Sequence, residues 1–315
     1  MKNFITYLLA AALVAAAPLL LSADSARGTE QTVRIGSLRG PTSVGMAPLL
    51  HDPHRLAPYL DPDFRLFGTP DLLISQILAG EIDIAALPTN LAANLHNRGA
   101  GIRLLAISGG GVLYVVADRD MAWEDLRGET IFTLARGATP DILFQAMLRH
   151  QGLEPGRDVH LRYAPDQTEL AQRLIGGNIS RAVLPEPFVT RVTTARPELR
   201  VALELGSHHP MTALVVTDRF ATDHPRALAH FESAYQEGLR WLDQNRAEGA
   251  AAAADQLQIP APVIVSAFDR LNLVYTPAEE AREAVLDFLG IFLDHAPASV
   301  GGVLPGEEFF HRARN

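Results

Sequence analysis

Two arginines open the same short phrase in this chain, Arg39-Gly40-Pro41-Thr42 and Arg136-Gly137-Ala138-Thr139. A guanidinium offers a planar fork of donors to a carboxylate, sulfonate or phosphate. A glycine lets backbone approach a ligand closely, a threonine caps a helix, and the exposed N–H groups of that helix's first turn carry partial positive charge. Two such turns facing each other, the first continued by Ser43, would make a polar clamp. The bland reading is a pair of solvated arginines in surface salt bridges, with threonines serving as ordinary caps; Thr69-Pro70-Asp71 shows the same capping grammar before a different helix. Leu87-Pro88-Thr89-Asn90 and Leu184-Pro185-Glu186-Pro187-Phe188 supply a second set of polar groups. Glu186 can accept hydrogen bonds from an amino or ring N–H while Phe188 packs on an aromatic ring, or it can cap the following helix. Thr89 and Asn90 contact a ligand or cap the helix expected near Leu91. Gly110 and His209, in two loops of similar placement, complete the candidate binding set.

These phrases recur because residues 33 to 88 align without a gap on 130 to 185, at an offset of 97. The identical pairs include Arg39/Arg136, Gly40/Gly137, Thr42/Thr139, Leu73/Leu170, Gly80/Gly177 and Pro88/Pro185. A repeat near 100 residues is the size of a small folded unit, so two lobes are expected. Each copy reads strand, turn, helix, strand, helix, glycine stop, strand, an α/β pattern with a mostly parallel sheet. Ligands in such sheets sit beyond the carboxyl ends of the strands, where Arg39 to Ser43, Pro88 to Asn90, Arg136 to Thr139 and Pro185 to Pro187 fall. Val115-Val116-Ala117-Asp118-Arg119 returns as Val215-Val216-Thr217-Asp218-Arg219 at an offset of 100, so three residues are added around Gly206 to Pro210. That stretch and Gly109-Gly110-Gly111 read as hinge crossings between lobes, or as ordinary loops. Lobe one is then 29–111 with 212–315, and lobe two 112–211. In the C-terminal third, Pro225 to Leu242 and Ala247 to Leu257 read as packed helices, and Thr276-Pro277-Ala278-Glu279 as a capping box opening a helix through His295. This third is expected to complete and cover lobe one.

Residues 1–28 stand apart: Lys2, an apolar run from Phe4 to Leu21, then small residues. This is the pattern of a secretory signal cleaved after Ala23 or Gly28, the alternative being an uncleaved anchor. The chain of 315 residues has no cysteine, which removes disulfides, thiolate nucleophiles, Cys-based metal sites and a lipidated cysteine. Lys2 is its sole lysine, so the mature protein has no Schiff-base lysine. The mature net charge is −10 for either cleavage, with 36 acids against 26 arginines or 35 against 25. An acidic chain without a basic cluster argues against nucleic acid. Metal binding is not expected: in His51-Asp52-Pro53-His54 the proline prevents the helix that would stack two ligands, and His208-His209 point apart if extended. HExxH, GxSxG, P-loop and dinucleotide fingerprints are missing, and no cofactor is expected.

The phrases RIGSLRGPTSVGMAPLL, ILAGEIDIAALPTNLA, WEDLRGETIFTLARGATPDILFQAML and GLEPGRDVHLRYAP through LIGGNISRAVLPEPFVT resemble the substrate-binding proteins of ABC importers of the nitrate, sulfonate and taurine type, related to thiamine-precursor binding proteins. The resemblance covers about residues 32 to 240. It implies a type II periplasmic-binding fold, two α/β lobes joined by two crossovers and closing over a small solute, and a monomer that delivers the solute to an ABC permease in the inner membrane. Carried onto this chain, the family's binding loops match Gly40 to Ser43, Pro88 to Asn90, Gly137 to Thr139 and Glu186. GPTS paired with LPEPF assigns neither nitrate, sulfonate nor thiamine precursor. A pocket glutamate would disfavour a bare oxyanion and favour an amino-bearing or heterocyclic solute. The rival classes are an exported enzyme on the same fold, with the lysine-dependent pyrimidine synthases disfavoured by the lysine-free mature chain, and a protein that presents its ligand to a sensor kinase.

Overall fold

The computed structural model describes residues 31–206 and 208–312; the expected signal segment lies outside them. The chain runs β1 (Gln31–Leu38), α1 (Pro41–Val44), α2 (Ala47–His51), β2 (Leu60–Phe67), α3 (Pro70–Leu78), β3 (Ile84–Pro88), α4 (Thr89–Asn97) and β4 (Ile102–Gly109). It continues with β5 (Leu113–Ala117), β6 (Thr130–Leu134), α5 (Thr139–His150), β7 (His160–Ala164), α6 (Gln167–Ile175), β8 (Ala182–Pro185), α7 (Phe188–Ala195) and β9 (Arg200–Glu204). Then come β10 (Thr212–Thr217), α8 (Asp218–Asp223), α9 (Pro225–Gln244), α10 (Arg246–Leu257), α11 (Ala261–Ala267), β11 (Leu273–Pro277) and α12 (Ala278–His295).

Two mixed sheets result, ordered β11-β4-β10-β3-β1-β2 and β7-β6-β8-β5-β9. With β11 set aside, the two orders are the same under the repeat, and α3 and α6 begin and end exactly 97 residues apart. Each of these helices is followed within two residues by a glycine in the left-handed region, Gly80 (φ 71°) and Gly177 (φ 74°), where a side chain would be strained. The penultimate strands are exchanged. β5 leaves the first half and inserts antiparallel between β8 and β9, and β10 returns to insert antiparallel between β3 and β4. Val115 and Val215, equivalent in sequence, therefore sit in opposite sheets. The chain passes between the sheets after β4, before Leu113, and returns between the end of β9 at Glu204 and the start of β10 at Thr212.

Several local expectations are corrected. The apolar run after β1 is not one helix: it breaks at Gly45-Met46, where a Cβ on Gly45 would lie 2.2 Å from the hydroxyl of the buried Tyr235. Thr42, Thr139 and Thr69 do not cap through their side chains. Gly40, Ala138 and Thr69 hold the N-cap positions of α1, α5 and α3, none with a side-chain cap bond. The capping box at 276–279 does not form either, because Thr276 and Pro277 end β11 in register with Ile107 and Ala106. Strand pairing takes the residue that a cap would have used.

The C-terminal third does more than cover lobe one. α9 buries Phe231 and Tyr235 under the first sheet with Val33, Ile35 and Met46. Ala250, Ala253 and Leu257 of α10 and Ile264 and Ala267 of α11 join the second lobe's Leu170, Leu174, Phe188 and Val192 in one cluster. On the other flank, Phe288 and Phe292 of α12 share a cluster with Phe144 and Leu148 of α5 and with Ala92 and Leu104 of the first lobe. An apolar helix face packs wherever complementary surface is offered, regardless of which lobe its neighbours in sequence belong to.

Candidate functional site

A cavity of about 420 Å³ opens at the carboxyl ends of the strands, between the two sheets. The first turn of each lobe contributes Arg39, Pro41 and Thr42, or Gly137, Ala138 and Thr139, and Asn90 reaches in from the start of α4. Thr139 Oγ1 donates to Asn90 Oδ1 across the lobes at 2.8 Å. The second turn of each lobe also takes part, through Gly68 and Pro70 at the end of β2 and Pro165, Asp166 and Gln167 at the end of β7. Sequence reasoning missed this turn, although the offset pairs Gly68 with Pro165 and Pro70 with Gln167 and both follow strands. Val112, Leu113, Met211 and Thr212 line the back, where the chain crosses.

The remaining candidates fall behind or beside the lining. Gly40 has φ 137°, and a Cβ there would meet the Gln167 amide at 2.7 Å. A glycine is thus required where the lobes touch. Ser43 is buried and donates to the Gly40 carbonyl at 2.9 Å. Thr42 donates to the Leu38 carbonyl at 2.8 Å, tying the turn to the strand it follows. Thr89, fully buried, donates to the Pro210 carbonyl at 2.6 Å and holds one crossing against α4. Gly110 donates its N–H to the Asn272 carbonyl at 2.8 Å in the other crossing. Arg136 lies over the Tyr163 ring at 4.9 Å, whereas Arg39 lines the cavity and has no carboxylate partner among the described residues. The two equivalent arginines are therefore in different positions to meet a solute.

Glu186 is fully buried and is not among the cavity-lining residues. Its carboxylate accepts from Thr190 N at 3.1 Å, Thr190 Oγ1 at 3.0 Å and Arg270 Nε at 2.5 Å. It joins α7 to the 3-10 turn Phe268–Arg270, and the inference toward an amino-bearing heterocycle loses its basis. His209 packs against Phe288 with ring centroids 5.1 Å apart and planes tilted by 30°, and is not among the lining residues. Burial first, and then neighbouring His208, hold its pKa down to about 4.

At the start of α5 the carboxylate of Asp141 folds back onto the turn, accepting from Gly137 N at 2.8 Å and Gln145 Nε2 at 2.7 Å. Burial first, and then the charge of Asp141, raise the pKa of the Tyr163 hydroxyl beside it. Asp166 is the N-cap of α6 and accepts from Glu169 N, inside the helix, at 2.9 Å. Arg39 and Asp166, both exposed, are the cavity's sole formally charged lining residues, and six of the lining residues are prolines. The arrangement can enclose a small organic molecule, fix it with amide and hydroxyl groups, and close over it by cross-lobe hydrogen bonds.

Comparison with known proteins gives a match to the NMT1-like family over residues 71–258, more than half of the chain. No curated protein matches. Among solved structures, an ABC transporter from Parabacteroides distasonis is 27% identical with a TM-score of 0.76, the match covering 90% of this chain and 100% of that one. The periplasmic aliphatic sulphonate binding protein SsuA from Escherichia coli is 17% identical, TM-score 0.71, covering 84% and 92%. The periplasmic nitrate-binding protein NrtA from Synechocystis PCC 6803 is 14% identical, TM-score 0.64, covering 84% and 81%. The expected periplasmic-binding fold is the fold these neighbours share with this chain.

Proposed function

The chain belongs to the NMT1-like family, and from that premise we propose that it is an extracytoplasmic solute-binding protein that captures a small organic solute between its lobes and delivers it to the permease of an ABC importer. The observation that carries this reading is the cavity at the carboxyl ends of both sheets, bridged by the Thr139–Asn90 hydrogen bond. Lobe one, 29–111 with 212–315, and lobe two, 112–211, would move about the crossings. Arg39, Pro41, Thr42, Asn90, Gly137, Ala138 and Thr139 would touch the solute; Gly40, Ser43, Thr89 and Gly110 would shape the turns and crossings that present them. The neighbours above named for a solute are binding proteins, not enzymes, which supports a non-catalytic role. Among the described residues no helix is long and apolar enough to cross a membrane. A monomer released into the periplasm by a cleaved signal fits this reading.

The test is native mass spectrometry of the mature protein from a periplasmic extract, with release and identification of any bound molecule, followed by uptake of that molecule in cells with and without the gene. A stoichiometric organic adduct whose uptake needs the gene is expected. Consumption of the adduct on incubation, or uptake unaffected by loss of the gene, would refute delivery.

A further inference from the structure

The repeat places Asp141 of lobe two where lobe one has Val44, and the two residues do opposite things. Val44 is fully buried in an apolar cluster. Asp141 is 1% exposed and turns its carboxylate onto the Gly137 N–H, a lining residue of the cavity. The start of a twelve-residue helix such as α5 is a natural seat for an anion, because its free N–H groups and aligned peptide dipoles favour negative charge. Here the Gly137 N–H, one residue before the N-cap Ala138 and itself part of the cavity lining, already serves an anion belonging to the chain, and a second anion brought to the same place would meet like charge.

The rest of the cavity points the same way. Its lining is largely apolar, with Leu91, Val112, Leu113, Leu134, Met211 and six prolines. The lining's polar side chains that are not exposed, Thr42, Asn90, Thr139, Gln167 and Thr212, are uncharged. Arg39 and Asp166 are exposed and lie toward solvent. An inorganic oxyanion in this cavity would give up its hydration with no cationic side chain to meet it but Arg39, whereas an apolar body would displace water from apolar walls.

We propose that Asp141 is a specificity determinant of the cleft: its carboxylate takes the place of a solute oxyanion at the start of α5, so the site selects organic solutes with an uncharged, apolar buried body and leaves inorganic oxyanions in solution. A single anionic end, where the solute has one, stays at the rim beside Arg39. This rests on the solute-binding reading above and narrows its substrate class.

The experiment is calorimetric titration of the mature protein, freed of any carried-over ligand, with nitrate, sulfate and a series of straight-chain monocarboxylates from acetate to octanoate. Wild-type protein should show no saturable binding of either oxyanion at millimolar concentration. Carboxylate affinity should rise by about fourfold per added methylene until the cavity is filled. Asp141→Asn, which keeps an acceptor for the Gly137 N–H but removes the charge, should raise oxyanion affinity by about tenfold or more relative to the carboxylates. If that variant melts before titration, Asp141→Ser carries the same comparison. Nitrate or sulfate binding to wild type as tightly as octanoate, or an affinity flat with chain length, overturns the inference and leaves the solute-binding reading standing. An unchanged oxyanion-to-carboxylate ratio in the variant removes Asp141 from it. No binding of any probe, together with no ligand carried through purification, overturns both.

Discussion

Replacing Arg270 by Met should reveal how strongly the C-terminal segment is locked to the second lobe. The guanidinium donates to Glu186 Oε1 and, at 2.8 Å, to Thr190 Oγ1, and Glu186 is fully buried. Removing one member of a buried pair strands the other charge and costs about 3–5 kcal/mol. The Arg270 side chain is 41% exposed, and Glu186 keeps its two bonds from Thr190, so the lower end, about 3 kcal/mol, is expected. Glu186→Gln in the Arg270→Met background removes the stranded charge and should restore most of the loss, giving a coupling of about 2 kcal/mol in a double-mutant cycle. Urea unfolding at neutral pH measures both quantities. Trp123 and Trp241 place one fluorophore before β6 and one on α9, so circular dichroism and fluorescence transitions must coincide before a single free energy is assigned. A loss below about 1 kcal/mol for Arg270→Met, or strict additivity in the cycle, would refute the buried-pair reasoning.

Three further outcomes follow from the geometry. His209 has a folded-state pKa of about 4, below its ordinary 6.5. The unfolded chain therefore binds more protons between these values, and stability present above pH 6.5 should fall as pH drops toward 4, by at most about 3 kcal/mol; His209→Gln should flatten that slope, and a wild-type profile flat over the window would contradict it. Thr139→Val removes the cross-lobe bond and leaves the Asn90 oxygen, on a residue 7% exposed, without its donor in the closed form. Solute affinity by calorimetry should weaken by roughly tenfold, about 1.4 kcal/mol, and an unchanged Kd would show that the bond does not support closure. Arg39→Ala should weaken binding of an anionic solute by about tenfold while Arg136→Ala leaves it nearly unchanged; the reverse order would place the solute on the Tyr163 side.

The two-lobed α/β plan was legible in the chain because it is a local pattern written twice. Strand, glycine turn and helix each depend on residues within a few positions of one another, so an alignment at offset 97 carries them intact. The strand ends at 39–43 and 136–139 were legible for the same reason. The exchange of β5 and β10 left only the shifted Val-Val-x-Asp-Arg echo, because strand pairing is a property of the sheet and not of the strand.

What the sequence determined by itself was the number of lobes, their element order and the level at which a cleft opens. Tertiary structure decided which polar groups face that cleft. Glu186 is drawn inward by Arg270, 84 residues away, Arg136 is drawn onto Tyr163, and His209 onto Phe288. A carboxylate, guanidinium or imidazole goes to whichever partner best repays its desolvation, and those partners come from helices and strands that only the folded chain brings near.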